Sequence, residues 1–121
     1  MTPAPRILVV SGEQWPRALV RAQLDEAGYD AIGAGTLSRA LRYPPDDAER
    51  GPLRLVVVDS RTAAAEPKAL EHARRRYLGV PFVLVRRAGA VPPGPWAATL
   101  RRPVTIGDIV ATVRRLVPLD P

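Results

Sequence analysis

The sequence predicts an α/β domain, a doubly wound, five-stranded parallel sheet with helices on both faces. Three observations carry this. Short runs rich in Val, Ile and Leu alternate with stretches whose apolar residues recur at helical spacing. The runs are apolar throughout rather than at every second residue, as strands covered on both faces must be. The chain has 121 residues and no internal repeat, enough for one domain, here 1–121 with a core over about 5–118.

The elements follow in order. "RILVV" (6–10) is β-branched and too short for a helix, so it is a strand. Pro16 stands where a first helical turn tolerates proline. Val20, Leu24 and Ala27 then recur at helical spacing, and Gly28 is a C-terminal stop. "YDAIGA" (29–34) is a weaker strand, and Thr36 caps a short helix carrying Leu37, Ala40 and Leu41. "YPPDDAERGP" (43–52) is expected to be loop, from its prolines and polarity. "LRLVVVD" (53–59) is the strongest strand. Pro67 opens a helix through Leu70, Ala73 and Tyr77; "PFVLV" (81–85) and "AATLR" (97–101) are the remaining strands. In the last helix Thr105 is the cap with Asp108 three residues on, and Ile106, Ile109, Val110, Val113, Leu116 and Val117 form the apolar stripe.

Composition narrows the function classes. The absence of cysteine excludes disulfides and thiolate metal sites. No apolar run approaches a membrane span and "MTPAPR" has no signal-peptide core, so a cytoplasmic protein with no membrane partner is expected. The net charge is +6, from 18 basic residues of which only Lys68 is a lysine. Such a charge favours anionic partners. Ala, Arg, Pro and Gly are all abundant, however, as a GC-rich coding sequence produces, and charge alone carries little weight.

In an open parallel sheet the ligand site lies beyond the carboxyl ends of the strands, where the strand order reverses. The strand ends here are Ser11-Gly12-Glu13, Asp59, Arg86-Arg87 and Arg101-Arg102-Pro103.

At these residues the sequence resembles the receiver domains of bacterial response regulators, the chemotaxis-regulator-like family with a flavodoxin-like fold. "ILVVSGE" is similar to the family's first strand and acidic turn. "RALVRAQLDEAGYDAIGAGTLSRAL" resembles its first helix, second strand and second helix. "LRLVVVD" is similar to the strand that presents the phosphoacceptor, which places that position at Asp59. "PFVLVR" resembles the fourth strand, and "LRRP" stands where the family has Lys-Pro. The resemblance implies strand order 2-1-3-4-5, a phosphorelay role and a sensor kinase or regulatory protein as partner. Dimers occur in the family, so a homodimer is a further expectation.

The departures from the family pattern bear on chemistry. Aspartyl phosphorylation needs an in-line carboxylate and neutralised phosphate charge, which the family supplies with Mg²⁺ held by an acidic pair. Ser11 and Gly12 take the positions of that pair, and Glu13 keeps a carboxylate one residue late. Arg86 stands at the family's Thr/Ser position, Arg102 at its lysine, Thr99 at its aromatic switch residue and Ala63 at its loop proline. Arginine suits a carboxylate bidentately, so an ion pair of Asp59 with Arg86, Arg102 or both is expected in place of a metal. Between Arg86 and Arg102 the chain is shorter than in the family and holds Gly89, Pro92, Pro93, Gly94 and Pro95. Prolines so placed cannot support a helix interior, so the family's fourth helix is expected to be replaced by the loop "RRAGAVPPGPW".

The expectation is therefore a degenerate, or pseudo-, receiver that works by protein–protein interaction without phosphorylation, is not an enzyme and needs no cofactor. The first alternative is a working phosphoacceptor at Asp59, which would need Mg²⁺; the second is an arginine-rich nucleic-acid-binding module, disfavoured because no reading element is present. Bland readings stand beside these. Asp59 is also ordinary turn chemistry after a strand. Ser11 has no base to activate it, and His72 sits among charges mid-helix. The "RRR" of 74–76 complements a helix dipole. Trp15 and Trp96 are either binding anchors or partly packed side chains. The last helix ends near Pro121, so either the protein works alone or this is part of a longer regulator.

Overall fold

A computed structural model of the chain describes residues 3–87, 91–101 and 104–119. The elements are β1 (Arg6–Val10), α1 (Gln14–Glu26), β2 (Asp30–Ala34), α2 (Leu37–Ala40) and β3 (Asp46–Asp47). They continue with β4 (Gly51–Asp59), α3 (Ser60–Ala65), α4 (Pro67–Arg76), β5 (Phe82–Val85), β6 (Ala98–Leu100) and α5 (Ile106–Leu116). The main sheet runs β2-β1-β4-β5-β6, all parallel, which is the expected 2-1-3-4-5 order once the short β3 is set aside. β3 is a two-residue antiparallel partner of β4, Asp46 opposite Pro52 and Asp47 opposite Gly51. The 43–52 stretch is thus not all loop. Gly51, at φ +89°, makes the turn a side chain would strain, and β4 starts there, two residues ahead of expectation.

Because successive strand residues face opposite ways, each apolar run serves two cores. Leu8, Val10, Val56 and Val58 pack under α2 and α4 with Leu37, Leu70 and Tyr77. Ile7, Val9, Leu55 and Val57 pack under α1 and α5 with Val20, Leu24, Ile109 and Val113. α1 is capped by Ala27, and Gly28 follows with a φ of +106°, which fits the expected stop. α5 starts with a complete capping box. Thr105 Oγ1 accepts from the Asp108 N–H at 3.0 Å and the Asp108 carboxylate accepts from the Thr105 N–H at 2.9 Å.

Between β5 and β6 the described residues contain no helix, in line with the prolines there. The face left open is covered instead by Trp96, which meets Phe82 edge-on at 6.5 Å between ring centres. The Trp96 Nε1–H donates to the Pro92 carbonyl at 2.9 Å, so the loop closes on its own aromatic residue. Among the described residues no helix is long and apolar enough to cross a membrane.

Candidate functional site

The strand order reverses between β1 and β4, so the turn after β1 and the end of β4 lie side by side; Val10 pairs with Val58 and Asp59 with Val85. This brings Ser11, Gly12, Glu13, Asp59 and Arg87 to one corner, as the strand-end rule requires. A cleft of about 320 Å³ opens there, lined by Gly12, Glu13, Thr36, Asp59, Thr62 and Glu66 among others.

Asp59 is buried, at 7% exposure. It caps α3. Its Oδ1 accepts from the Thr62 N–H at 2.8 Å and its Oδ2 from the Thr62 hydroxyl at 2.9 Å. The same hydroxyl oxygen accepts from the Gly12 N–H at 3.0 Å. One threonine thus ties the turn after β1 to the end of β4, and the donors polarise one another in sequence. The ion pair expected between Asp59 and Arg86 does not form. The turn-and-cap role of Asp59 is what the structure contains, both its oxygens being taken by Thr62 three residues on. Arg102 lies outside the described residues.

Arg86 is still in the sheet ladder, its N–H donating to the Leu100 carbonyl at 2.8 Å. It lines a groove on the α1/α5 side with Pro16, Leu19, Val104 and Ile106. The residue that turns toward the corner is its neighbour. Arg87 forms an ion pair with Glu13. Its N–H donates to the Ser60 hydroxyl at 2.7 Å. Arg87, Asp59, Ser11 and Arg17 also line one small cavity of about 50 Å³ behind the cleft. Arg17 lays its guanidinium on the Ser11 carbonyl at 2.7 Å, and the Ser11 hydroxyl accepts from the Glu13 N–H at 3.3 Å.

Thr99 is exposed on β6, and Ala63 is fully buried in α3, a helix the sequence reading had not placed. The residues that reading missed are Thr62 and Arg17; Arg87 it named at the strand end but gave no role, assigning the contact to Arg86. A signal for Thr62 was present: Asp59 directly before "SRTAAA" is a helix-start pattern. His72 is exposed, as its bland reading has it. Of the two tryptophans, Trp96 is the partly packed one, set on Phe82, and Trp15 is 78% exposed.

A divalent ion of the Mg²⁺ type demands several oxygens in octahedral array. Here Ser11 offers a neutral hydroxyl already in use, Gly12 has no side chain, Glu13 is held by Arg87 and both Asp59 oxygens are held by Thr62. Among the described residues no group of three or more metal-binding side chains gathers anywhere. The donor set does not fit the ion.

No protein-family model matches the sequence, and no curated protein matches it. Solved structures do match, and they define the class first: an α/β, flavodoxin-like domain with the parallel order described above. The particular fold is that of response regulator receiver domains. The chain is similar to the non-phosphorylated HemR receiver domain from Leptospira biflexa, with TM-score 0.74 and 23% identity over 97% of both chains. It is similar to a response regulator receiver domain protein from Clostridium thermocellum, with TM-score 0.73 and 17% identity over 93% of this chain and 94% of that one. A CheY-like receiver domain protein from Methanospirillum hungatei gives TM-score 0.72 and 18% identity over 93% and 92%.

Proposed function

We propose that the chain is a receiver-fold signalling module of the cytoplasm that works by binding a protein partner, without catalysis and without phosphorylation of Asp59. The observation that carries this reading is the state of the strand-end carboxylates. In the family the sequence resembles, an acidic pair and the phosphoacceptor share a divalent ion. Here the pair's positions are Ser11 and Gly12, Glu13 is neutralised by Arg87, and each Asp59 oxygen accepts a hydrogen bond from Thr62. An attacking carboxylate needs a free oxygen in line with the phosphorus and a cation to gather the phosphate charge. Arg87 is a cation, but its Nη2 is already directed at Glu13.

A second reading keeps Asp59 as a phosphoacceptor in a two-component relay. It is favoured by one observation: Asp59 lines an open cleft together with Gly12 rather than being sealed beneath side chains. The experiment that separates the two is incubation with Mg²⁺ and acetyl phosphate followed by intact-mass measurement. The unmodified mass is expected. A phosphoryl group that appears on the wild-type chain and disappears in Asp59→Asn favours the second reading and removes the first.

A further inference from the structure

The outer side of α1 carries two of the most exposed apolar side chains of the described residues, Trp15 at 78% and Leu19 at 49%. They stand four residues apart, so they share one side of the helix at its N-terminal end. Ala18 and Ala22 beside them are exposed too. The two arginines of α1 are turned the other way, toward β2. Arg17 lies on the Ser11 carbonyl, and both side chains reach within 3.4 Å of where a Gly33 Cβ would stand. What is left is a contiguous apolar patch, the kind of surface that marks a contact with another molecule. The groove of about 470 Å³ that holds Leu19, Ile106 and Arg86 continues it onto α5.

At the other end of the same face, between the second half of α1 and α5, is a hollow of about 330 Å³. Ala27, Gly107 and Ala111 give it its depth, with Glu26 from α1 and Arg114 from α5 at its sides. A glycine weakens a helix, and nothing in the chain asks for one at position 107. A Cβ there would meet only the Thr105 Oγ1, at 3.6 Å. The charges of the face are unpaired. Neither Glu26 nor Arg114 nor the Arg86 guanidinium has an ion-pair partner among the described residues. Arg86 stands at the Trp15 end and Glu26 at the hollow.

We propose that this face binds a second copy of the chain, antiparallel about a two-fold axis crossing α1 and α5, so that Trp15 of each copy enters the hollow of the other. The inference rests on the reading that the chain works by protein contact, and it names the face and one occupant. Complementarity within the face selects that occupant, because each end supplies what the other lacks. Trp15 is a knob and the hollow a matching space, where Arg114 offers a cation to the indole ring. Arg86 of one copy meets Glu26 of the other, and the two-fold operation makes that one ion pair into two. Between the ends Ala18, Ala22, Val110 and Ala111 carry no charge, so two chains of net charge +6 can approach there.

The test is sedimentation equilibrium of the full chain from micromolar to millimolar concentration, with nitrogen-15 spectra of the two indoles alongside. A reversible dimer is expected, the Trp15 indole signal moving with concentration while the Trp96 indole stays in place. Trp15→Ser, an exposed change, is expected to raise the dissociation constant about thirtyfold or more. Gly107→Gln fills the hollow and is expected to raise it as well. Arg86→Glu and Glu26→Arg each weaken the dimer, and the double variant restores it, a rescue that damage to the fold does not produce. A single chain at every concentration, a dimer indifferent to Trp15→Ser, charge reversals that merely add, or a concentration shift at Trp96 instead overturns the proposal. The acetyl phosphate experiment reads Asp59 alone, so a chain that stays single leaves that result standing, and a phosphorylated Asp59 does not alter the outcome here.

Discussion

The two faces of the sheet are covered by different means. One carries α1, of 13 residues, and α5, of 11 residues, whose apolar stripes at Val20, Leu24, Ile109 and Val113 lie on the strands. The other carries α2, α3 and α4, of 4, 6 and 10 residues, and a proline-rich loop. Short helices and loops leave a larger share of backbone carbonyls without intrahelical partners. On that second face long side chains supply the donors. Tyr43 donates to the Gly33 carbonyl at 2.8 Å. Tyr77 donates to the carbonyls of Ala40 at 2.9 Å and Tyr43 at 2.7 Å. Arg74 and Trp96 do the same for Pro95 and Pro92. Both faces bury an apolar cluster; the second adds several side chains that satisfy particular backbone carbonyls, where the first has chiefly Tyr29 on the Val117 carbonyl.

That contrast is broken or sharpened first by a pair of core substitutions read by urea unfolding. Leu24→Ala removes packing on the helical face and is expected to cost about 2–5 kcal/mol. Tyr77→Phe keeps the ring but removes the hydroxyl from two carbonyls on the other face, which retain the Tyr43 N–H and the Arg76 guanidinium as donors, so it is expected to cost about 0.5–1.5 kcal/mol. A Tyr77→Phe chain as stable as the wild type would mean that packing, not backbone satisfaction, holds both faces.

Alkaline pH gives the next effect. Burial raises the pKa of both Tyr29 and Tyr77 above 10.0, the folded state favouring the neutral phenol. The stability each contributes is whole at neutral pH and is lost as pH rises past the unfolded value toward the raised folded one. Thermal midpoints should therefore fall steeply above about pH 10. The fall should be shallower in Tyr77→Phe, and shallower also in Tyr29→Phe, whose hydroxyl meets the Val117 carbonyl at 2.7 Å on the opposite face.

The smallest effect belongs to the strand-end corner. A double-mutant cycle of Glu13→Gln and Arg87→Gln should give a coupling of about 0–1 kcal/mol, since Glu13 is 46% exposed. That coupling should shrink in salt. A coupling of several kcal/mol would make the Glu13–Arg87 pair a structural brace instead of a neutralised carboxylate.

The sheet was legible because "RILVV", "LRLVVVD" and "PFVLV" are each too short and too β-branched for a helix. The last helix was legible from Thr105 and Asp108, and the missing one from Pro92, Pro93 and Pro95. β3 was not, because two polar residues pair only by virtue of the turn at Gly51. The corner was half legible. Strand order brought Asp59 beside Ser11 and Gly12, but which of two adjacent arginines turns inward depends on where β5 leaves its ladder. Arg86 remains bonded to Leu100, so Arg87 is the one that meets Glu13. Thr62 was missed because "SRT" has weak helical preference, and its helix exists chiefly through the cap at Asp59.

Gly12 carries a last consequence. Had it a Cβ, the nearest atoms would be the Thr62 hydroxyl at 3.7 Å and the Gly35 carbonyl at 3.8 Å, ordinary contact distances. The corner thus has room for a Cβ at position 12. Any glycine codon becomes an Asp or Glu codon by one base change, so a second acid beside Glu13 lies a single mutation away, and its first side-chain carbon meets only ordinary contacts.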